Sequence, residues 1–356
     1  MVVPTTRPFA IVAMSGGVDS SVAAAVLIEQ GYRVEGASLR LWDSPRRDDR
    51  ICSDHRDAGR VAQALGIPHH EIDQREAFER SVVKPFVAAY ASGRTPNPCV
   101  ACNGDFKLGA LLDWALARGA DVVATGHYAR VERRDGAPVL LRGADERRDQ
   151  SYFLFSLGGR QLESVVFPLG AWCKEQVRAR AAALALPVAD KPDSQDLCFG
   201  DPAALVRARA AGGVAGEVVD DAGRVLGRHD GIERFTIGQR RGLGIAAGSP
   251  LYVRAIDGPT SRVTVGATPP RARALIARDW NWTSAPAREG ETVLAQVRYR
   301  HRPLAARVTV HGESHAVRVE FPEPVVAVAP GQAIVLYRRD EVLGGGWIER
   351  AEAEAA

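Results

Sequence analysis

The chain has 356 residues, 46% apolar and 25% charged, which suits a globular protein of two or three domains and excludes wholesale disorder. No apolar run nears the ~20 residues of a membrane span. The amino terminus lacks a basic segment followed by an apolar one, so a cytoplasmic protein without membrane partner or export signal is expected. Lys plus Arg number 46 against 43 Asp plus Glu, a net charge of +3 that permits a nucleic-acid partner without requiring one.

Phe9–Met14 is a short apolar run that breaks into Ser15-Gly16-Gly17. Ser20–Gln30 carries Val22, Ala23, Val26 and Leu27 at helical spacing and meets Gly31 as a C-cap. Arg33–Leu39 reads as a second strand, Asp57–Leu65 and Lys107–Arg118 as helices, and Asp121–Thr125 as a buried strand. Strands separated by helices of this length predict an α/β fold with a doubly wound parallel sheet, whose ligand lies at the carboxyl ends of strands. Beyond about residue 205 turn signals crowd together, at Asp220–Gly223, His229–Gly231 and Gly242–Gly248. Arg307–Val310, Ala316–Phe321 and Ala333–Tyr337 then alternate as strands do. The expected domains are residues 1–206, a small middle domain at 207–274 and a C-terminal β-barrel at 275–356, with frayed residues from Ala351 to Ala356.

Ser15-Gly16-Gly17-Val18-Asp19-Ser20 joins the first strand to the first helix. Two glycines let backbone approach a ligand, two hydroxyls can donate, and a helix N-terminus attracts anions. Any doubly wound protein needs a tight turn there, yet this combination makes a polyphosphate cradle. It is not a Walker loop, because Gly-Lys-Ser/Thr is absent. The string resembles the pyrophosphate loop of the N-type ATP pyrophosphatase superfamily. That resemblance implies cleavage of ATP to AMP and pyrophosphate, with Asp19 as a ligand for Mg²⁺ at the phosphates.

Five cysteines stand at 52, 99, 102, 173 and 198, an odd number that argues against a disulfide framework. Cys99-Val100-Ala101-Cys102 lies in a loop stiffened by Pro96 and Pro98, and Cys198 closes Lys191-Pro192-Asp193-Ser194-Gln195-Asp196-Leu197-Cys198. A zinc site lacks its fourth ligand at ribbon-like spacing. A thioredoxin-like pair would follow the first strand. The third reading is a sulfur-handling pair, Cys102 with Cys198; Cys52 and Cys173 receive no role.

PNPCVACN (96–103), ATGHYAR (124–130), DQSYFL (149–154), KPDSQDLCF (191–199), FTIGQRRGLGI (235–245) and VRYRHRP (297–303) occur in that order. Together they resemble the bacterial tRNA-specific 2-thiouridylases, the MnmA family, from about residue 9 to 350. The resemblance implies adenylation of the C2 oxygen of wobble uridine 34 in the Lys, Glu and Gln tRNAs, followed by sulfur transfer to 2-thiouridine. It implies Cys198 as persulfide carrier, charged by a sulfur-relay protein or cysteine desulfurase, and Cys102 as the nucleophile that ends in a transient disulfide with it. ATP would be bound by Ala13, Met14, Ser15, Gly16, Gly17, Val18, Asp19, Ser20, Leu39 and Gly126. Asn97, Pro98, Cys99, His127 and Gln332 would face the target base, and Arg148, Asp149, Gln150, Arg298, Tyr299 and Arg300 the tRNA.

Both thiolates need positive surroundings beside nearby phosphates, and Lys107 or Lys191, two of only four lysines, is the expected source. Many relatives carry Asp where Cys99 stands. The substitution raises a second mechanism, a [4Fe–4S] cluster on Cys99, Cys102 and Cys198 with one open iron. Arg298-Tyr299-Arg300 and Gln239-Arg240-Arg241 could equally be solvated strands, but Arg binds phosphate bidentately and Tyr stacks on unpaired bases. Two further functions compete. An amidating ligase would carry a glutaminase domain or a cysteine at residue 2, where Val2 stands; an RNA-binding protein with a vestigial loop would not keep SGGVDS and both cysteines intact.

Overall fold

The computed structural model describes residues 7–43, 50–193, 198, 201–209, 213–246, 248–311 and 316–353. Part of the Cys198 motif (194–197 and 199), Ala210–Gly212 of the Ala/Gly-rich stretch, the Cys52 side chain and Glu354–Ala356 therefore lie outside the described residues. The chain forms two compact units. Met1–Ser81, Cys99–Cys198 and Asp340–Val342 make the first, and Val82–Pro98, Phe199–Arg339 and Leu343–Ala356 the second.

The amino-terminal half runs β1 (Phe9–Ala13), α1 (Val18–Glu29), β2 (Arg33–Arg40), α2 (Arg50–Leu65), β3 (His69–Asp73), α3 (Arg75–Phe78) and α4 (Lys84–Ala91). It continues with α5 (Pro98–Ala101), α6 (Leu111–Ala117), β4 (Val122–Ala124), β5 (Ala129–Arg134), β6 (Ala137–Arg142), α7 (Gly159–Ser164), β7 (Val165–Val166) and α8 (Lys174–Ala183). Five strands form a parallel sheet in the order β3-β2-β1-β4-β7. β1 is apolar throughout because helices cover both faces of a central parallel strand. Ala10, Ile11 and Val12 are wholly buried, and burying Ile11 alone is worth about 2 kcal/mol. The chain moves outward from β1 to β2 on one side and to β4 on the other, which opens a crevice at their carboxyl ends.

The helix expected at Lys107–Arg118 starts earlier. Pro98 opens α5, a π-helical stretch covers Cys102–Ala110, and α6 follows. Proline suits a helix's first turn, where its missing N–H costs nothing. Within the wide turns a Cβ on Gly109 would sit 2.6 Å from the Gly104 carbonyl oxygen, and one on Gly104 would sit 2.7 Å from the Ser156 hydroxyl. β5 and β6 form an antiparallel hairpin, with Glu341 opposite Leu141.

In the second unit α9 (Pro202–Arg209) precedes β8 (Gly216–Val219), β9 (Val225–His229), β10 (Tyr252–Asp257) and β11 (Arg262–Gly266), which form a sheet in the order β10-β11-β8-β9. Val218, Phe235, Val253 and Val263 fill its core. β12 (Arg271–Trp282), β13 (Thr292–Gln296), β14 (Leu304–His311), β15 (Ala316–Val326), β16 (Ala333–Arg338) and β17 (Glu341–Ala353) follow. They run β12-β15-β14-β13-β16-β17 and close by pairing β12 with β17, a six-stranded barrel. In β15, Val317, Val319 and Phe321 point inward while Glu320 is exposed, the alternation a barrel wall requires. Ala351–Ala353, expected to fray, instead complete β17: Ala351 pairs with Leu275 and Ala353 with Ala272. Residues 82–98 group with this second unit, a departure that no local pattern announces.

Candidate active site

The phosphate loop leaves β1 at Ala13-Met14 and enters α1 at Val18, at the crevice the sheet order creates. Gly16 has φ +71°, a left-handed conformation costly for other residues. Ser20 Oγ donates to the Gly17 carbonyl (3.1 Å) and accepts from the Ser15 amide (3.3 Å), so both hydroxyl-bearing residues brace the loop. Gly126, after β4, packs directly on the first turn of α1: a Cβ there would lie 2.6 Å from the Ser20 nitrogen. Leu39 is half-buried at the end of β2, paired with Ile72.

Asp19 stands amid an ionic cluster that the sequence did not announce. Lys174, 4% exposed, donates to both Asp19 oxygens at 2.7 and 2.9 Å. The Tyr128 hydroxyl donates to Asp19 at 2.9 Å, and burial followed by the Asp19 charge raises the Tyr128 pKa strongly. Lys174 also meets Asp193 at 2.8 Å, as do Arg148 (2.8 Å) and Arg178 (2.9 Å). Burial pushes the Asp193 carboxyl up, but Lys174 and the two arginines outweigh it and hold it below the usual carboxylate range. Lys191, the other of the two lysines considered for the thiols, donates to the Gly16 carbonyl (3.1 Å) and Asp57 (2.8 Å).

Cys102 is buried at the start of the π-helical stretch, Cys99 is half-buried and Cys198 exposed. Lys107 is the cation common to all three. Burial raises the Cys99 and Cys102 thiols above their ordinary 9.0, and Lys107 pulls each back. Protein around the Cys198 sulfur raises that thiol despite the residue's exposure; Cys102 and Cys99 add to the shift and Lys107 opposes it. Cys102 acts on both Cys99 and Cys198, and Cys99 acts on Cys198, so the three thiols lie within electrostatic reach. His127 belongs to the same surroundings: burial, then Lys107, pushes it down to about 3, so it is neutral at physiological pH. Its Nδ1 bonds the Thr125 hydroxyl at 2.7 Å. Among the described residues no three His, Cys, Asp or Glu side chains gather closely enough to hold a metal ion.

Of the expected tRNA-facing residues in the first unit, Arg148 pairs with Asp193 and Gln150 accepts the Tyr128 amide at 3.0 Å. Asp149 is 8% exposed; it bonds Arg142 (2.8 Å), the Gly143 amide (3.0 Å) and Ser151 (3.1 Å). Asp149 and Gln150 thus fasten their own turn to Arg142, Gly143 and Tyr128. In the second unit Arg298 is exposed and donates weakly to the Val326 carbonyl at 3.3 Å, and Arg300, at φ +64°, lies over Tyr299 at 5.6 Å. Gln332 donates to the Thr95 carbonyl at 2.9 Å, while the Thr95 amide bonds the Pro330 carbonyl at 2.9 Å. Asn97 is half-buried in the loop so clamped, and Pro98 is buried at the head of α5. Lys174 and Tyr128 were missed as site residues; the rarity of lysine in an arginine-rich chain was the one available signal for the former.

Three family profiles match along the chain: a tRNA methyl transferase HUP domain over residues 9–201, a tRNA methyl transferase PRC-barrel domain over 208–267 and an aminomethyltransferase beta-barrel domain over 272–348. Among curated proteins, the chain is 49% identical to a tRNA-specific 2-thiouridylase MnmA of Syntrophotalea carbinolica, over 95% of this chain and 97% of that protein. It is 48% identical to the protein of the same name from Geobacter metallireducens, over 97% of each. It is 46% identical to that of Chloroflexus aurantiacus, over 96% of this chain and 98% of the relative.

Proposed function

This chain belongs to the MnmA family of tRNA-specific 2-thiouridylases, and from that premise we propose that it converts uridine 34 of the Lys, Glu and Gln tRNAs to 2-thiouridine at the expense of ATP. The observation that carries the reading is the conjunction, within one compact unit, of a braced phosphate loop and three thiols that share one lysine. Methyl transfer, which two of the profile descriptions name, needs neither.

The uracil C2 oxygen is a poor leaving group. Attack of that oxygen on the α-phosphate of ATP expels pyrophosphate into the loop's amides and turns the oxygen into the leaving group AMP. Mg²⁺ carried by the nucleotide would take phosphate oxygens and the Asp19 carboxylate, and it would neutralise charge on the departing pyrophosphate. In this reading Cys198 accepts a terminal sulfur from a relay protein or desulfurase, and its lying on an exposed residue supports that. That sulfur attacks C2, and AMP departs with the bonding pair. The Cys102 thiolate then attacks Cys198 Sγ, breaking the bond to the transferred sulfur; 2-thiouridine leaves, and a Cys102–Cys198 disulfide remains for an external dithiol to reduce. His127, neutral, can exchange a hydrogen bond with the base without adding charge. Cys99 is protonated at neutral pH because burial raises its thiol, so it is a weak donor there rather than the carboxylate many relatives carry. Arg298, Tyr299 and Arg300 supply phosphate binding and stacking on the second unit, in a chain of three domains divided at 206 and 274.

The test is the fate of ATP. Purified protein with unmodified tRNA and ATP should release AMP and pyrophosphate in a tRNA-dependent manner. ADP and phosphate as products would overturn the adenylation chemistry.

A further inference from the structure

Thr125 and His127 stand at the carboxyl end of β4, within the first unit. The Thr125 amide bonds the Val166 carbonyl at 3.3 Å, and the His127 ring meets the Phe167 ring edge-on, centroids 6.1 Å apart. Thr125 is 2% exposed, and its hydroxyl lies 2.7 Å from His127 Nδ1. The same oxygen accepts the His127 amide weakly, at 3.4 Å. Which group donates in the 2.7 Å bond follows from what each has left. The hydroxyl carries one proton, and no other acceptor for it is present among the described residues. If Nδ1 donated, that proton would stay unpaired in a place water does not reach, a cost the reverse arrangement avoids. Thr125 therefore donates to Nδ1, and a neutral imidazole so fixed keeps its single proton on Nε2. The ring is neutral because burial, followed by Lys107, disfavours the imidazolium. Nε2 has no partner among the described residues and is not among the polar atoms buried unpaired, so it is the ring atom left to meet a ligand.

We propose that Thr125 is a positioning residue that locks His127 as an Nε2–H donor, and that this donor takes the C4 carbonyl oxygen of the target base, so that the site selects uracil over cytosine. This rests on the thiolase reading, in which His127 faces the base, and adds the group that sets its hydrogen-bonding sense. Uracil offers two carbonyl acceptors, at C2 and C4. The C2 oxygen must keep a lone pair free for the α-phosphate, so the donor belongs on the C4 oxygen. Cytosine carries an amino group at that carbon. Against Nε2–H it sets donor against donor, and neither proton finds a partner once water is excluded. A charged imidazolium would also donate to the C4 oxygen, but it would draw electrons from the ring whose C2 oxygen must attack. A neutral donor reads the base without that penalty.

The experiment has a spectroscopic arm and a kinetic arm. In full-length protein carrying ¹⁵N-labelled histidine, the His127 ring signals, assigned by their loss in His127→Gln, should show Nε2 protonated and Nδ1 bare at neutral pH. Thr125→Val removes the hydroxyl and keeps the shape, so an Nδ1–H population should appear; Thr125→Ser should abolish it. The kinetic arm follows AMP release with two tRNA transcripts that differ only in U or C at position 34. Wild type should use the U34 transcript roughly a hundredfold better in kcat/KM. Thr125→Val should lower kcat on U34 about tenfold with the KM for ATP unmoved, and Thr125→Ser should recover it. His127→Gln, whose amide can turn to offer a donor or an acceptor, should bring the U34 preference below about tenfold. Both variants should still bind the non-hydrolysable ATP analogue AMP-PNP with Mg²⁺, measured by calorimetry. The wild-type spectrum and His127→Gln carry the test if Thr125→Val does not fold. A wild-type ring protonated on Nδ1, unchanged U34 turnover in Thr125→Val, or a full U34 preference in folded His127→Gln would overturn the inference and leave the thiolase reading standing. No AMP from wild type with the U34 transcript would remove both.

Discussion

Gly126→Ala probes the junction on which the nucleotide site is built. The added methyl would stand 2.6 Å from the Ser20 nitrogen and 2.7 Å from the Asp19 carbonyl carbon. Both are backbone atoms in the first turn of α1, so no side chain can swing aside. α1 must retreat from the end of β4 by about half an ångström, and overpacking of this kind costs roughly 1–3 kcal/mol. The displaced groups include a helix N-terminal N–H of the sort that binds phosphate. The cost should therefore appear in nucleotide affinity, as a five- to hundredfold weaker Kd at about 1.4 kcal/mol per tenfold. Calorimetry with AMP-PNP measures that directly. A melting scan should show a parallel loss of roughly 2–4 °C per kcal/mol. If Gly126→Ala binds AMP-PNP within twofold of wild type and melts at the same temperature, the close packing of β4 on the loop is not what shapes the site.

Lys107→Ala should move the pH midpoint of Cys102 alkylation further upward. Burial places that thiol above 9.0, and the lysine is the group opposing it; the thiolate fraction at pH 8 falls, and an unmoved midpoint removes Lys107 from the account. Asp149→Asn should lower unfolding free energy by about 3 kcal/mol, because Arg142 at 2.8 Å loses its partially buried counter-charge. An unchanged denaturant midpoint with weaker tRNA binding would instead assign Asp149 to RNA. Gln332→Ala removes the 2.9 Å bond to the Thr95 carbonyl. At about 1 kcal/mol, the Thr95 amide should exchange with solvent roughly fivefold faster, and exchange at the wild-type rate would refute the clamp.

What could be read from the sequence follows physical lines. β1 was legible because a central parallel strand is apolar on both faces, and the barrel because Val317, Val319 and Phe321 alternate with polar neighbours. The π-helical stretch at Cys102–Ala110 was not, since i to i+5 bonding leaves almost the same composition as an α-helix. Ala351–Ala353 look like a frayed tail until β12 supplies their partners. The phosphate loop announced itself as six contiguous residues, whereas the Lys174–Asp19 pair joins positions 155 apart. Of the two lysines the sequence offers for the thiols, Lys107 is the one that opposes their upward shift, while the Lys191 ammonium lies on Gly16 and Asp57. Local strings encode loops and nucleophiles; the charges that tune them are set by tertiary folding.

The central claim is that this chain thiolates tRNA through Cys102 and Cys198. Its most direct test incubates anaerobically purified protein with unmodified tRNA, ATP, Mg²⁺ and a persulfide donor, then quantifies 2-thiouridine nucleoside by mass spectrometry. Wild type should form 2-thiouridine, and Cys102→Ser and Cys198→Ser should each abolish it while still binding AMP-PNP. Undiminished product in either variant, or no product from wild type that releases AMP on another acceptor, would contradict the account.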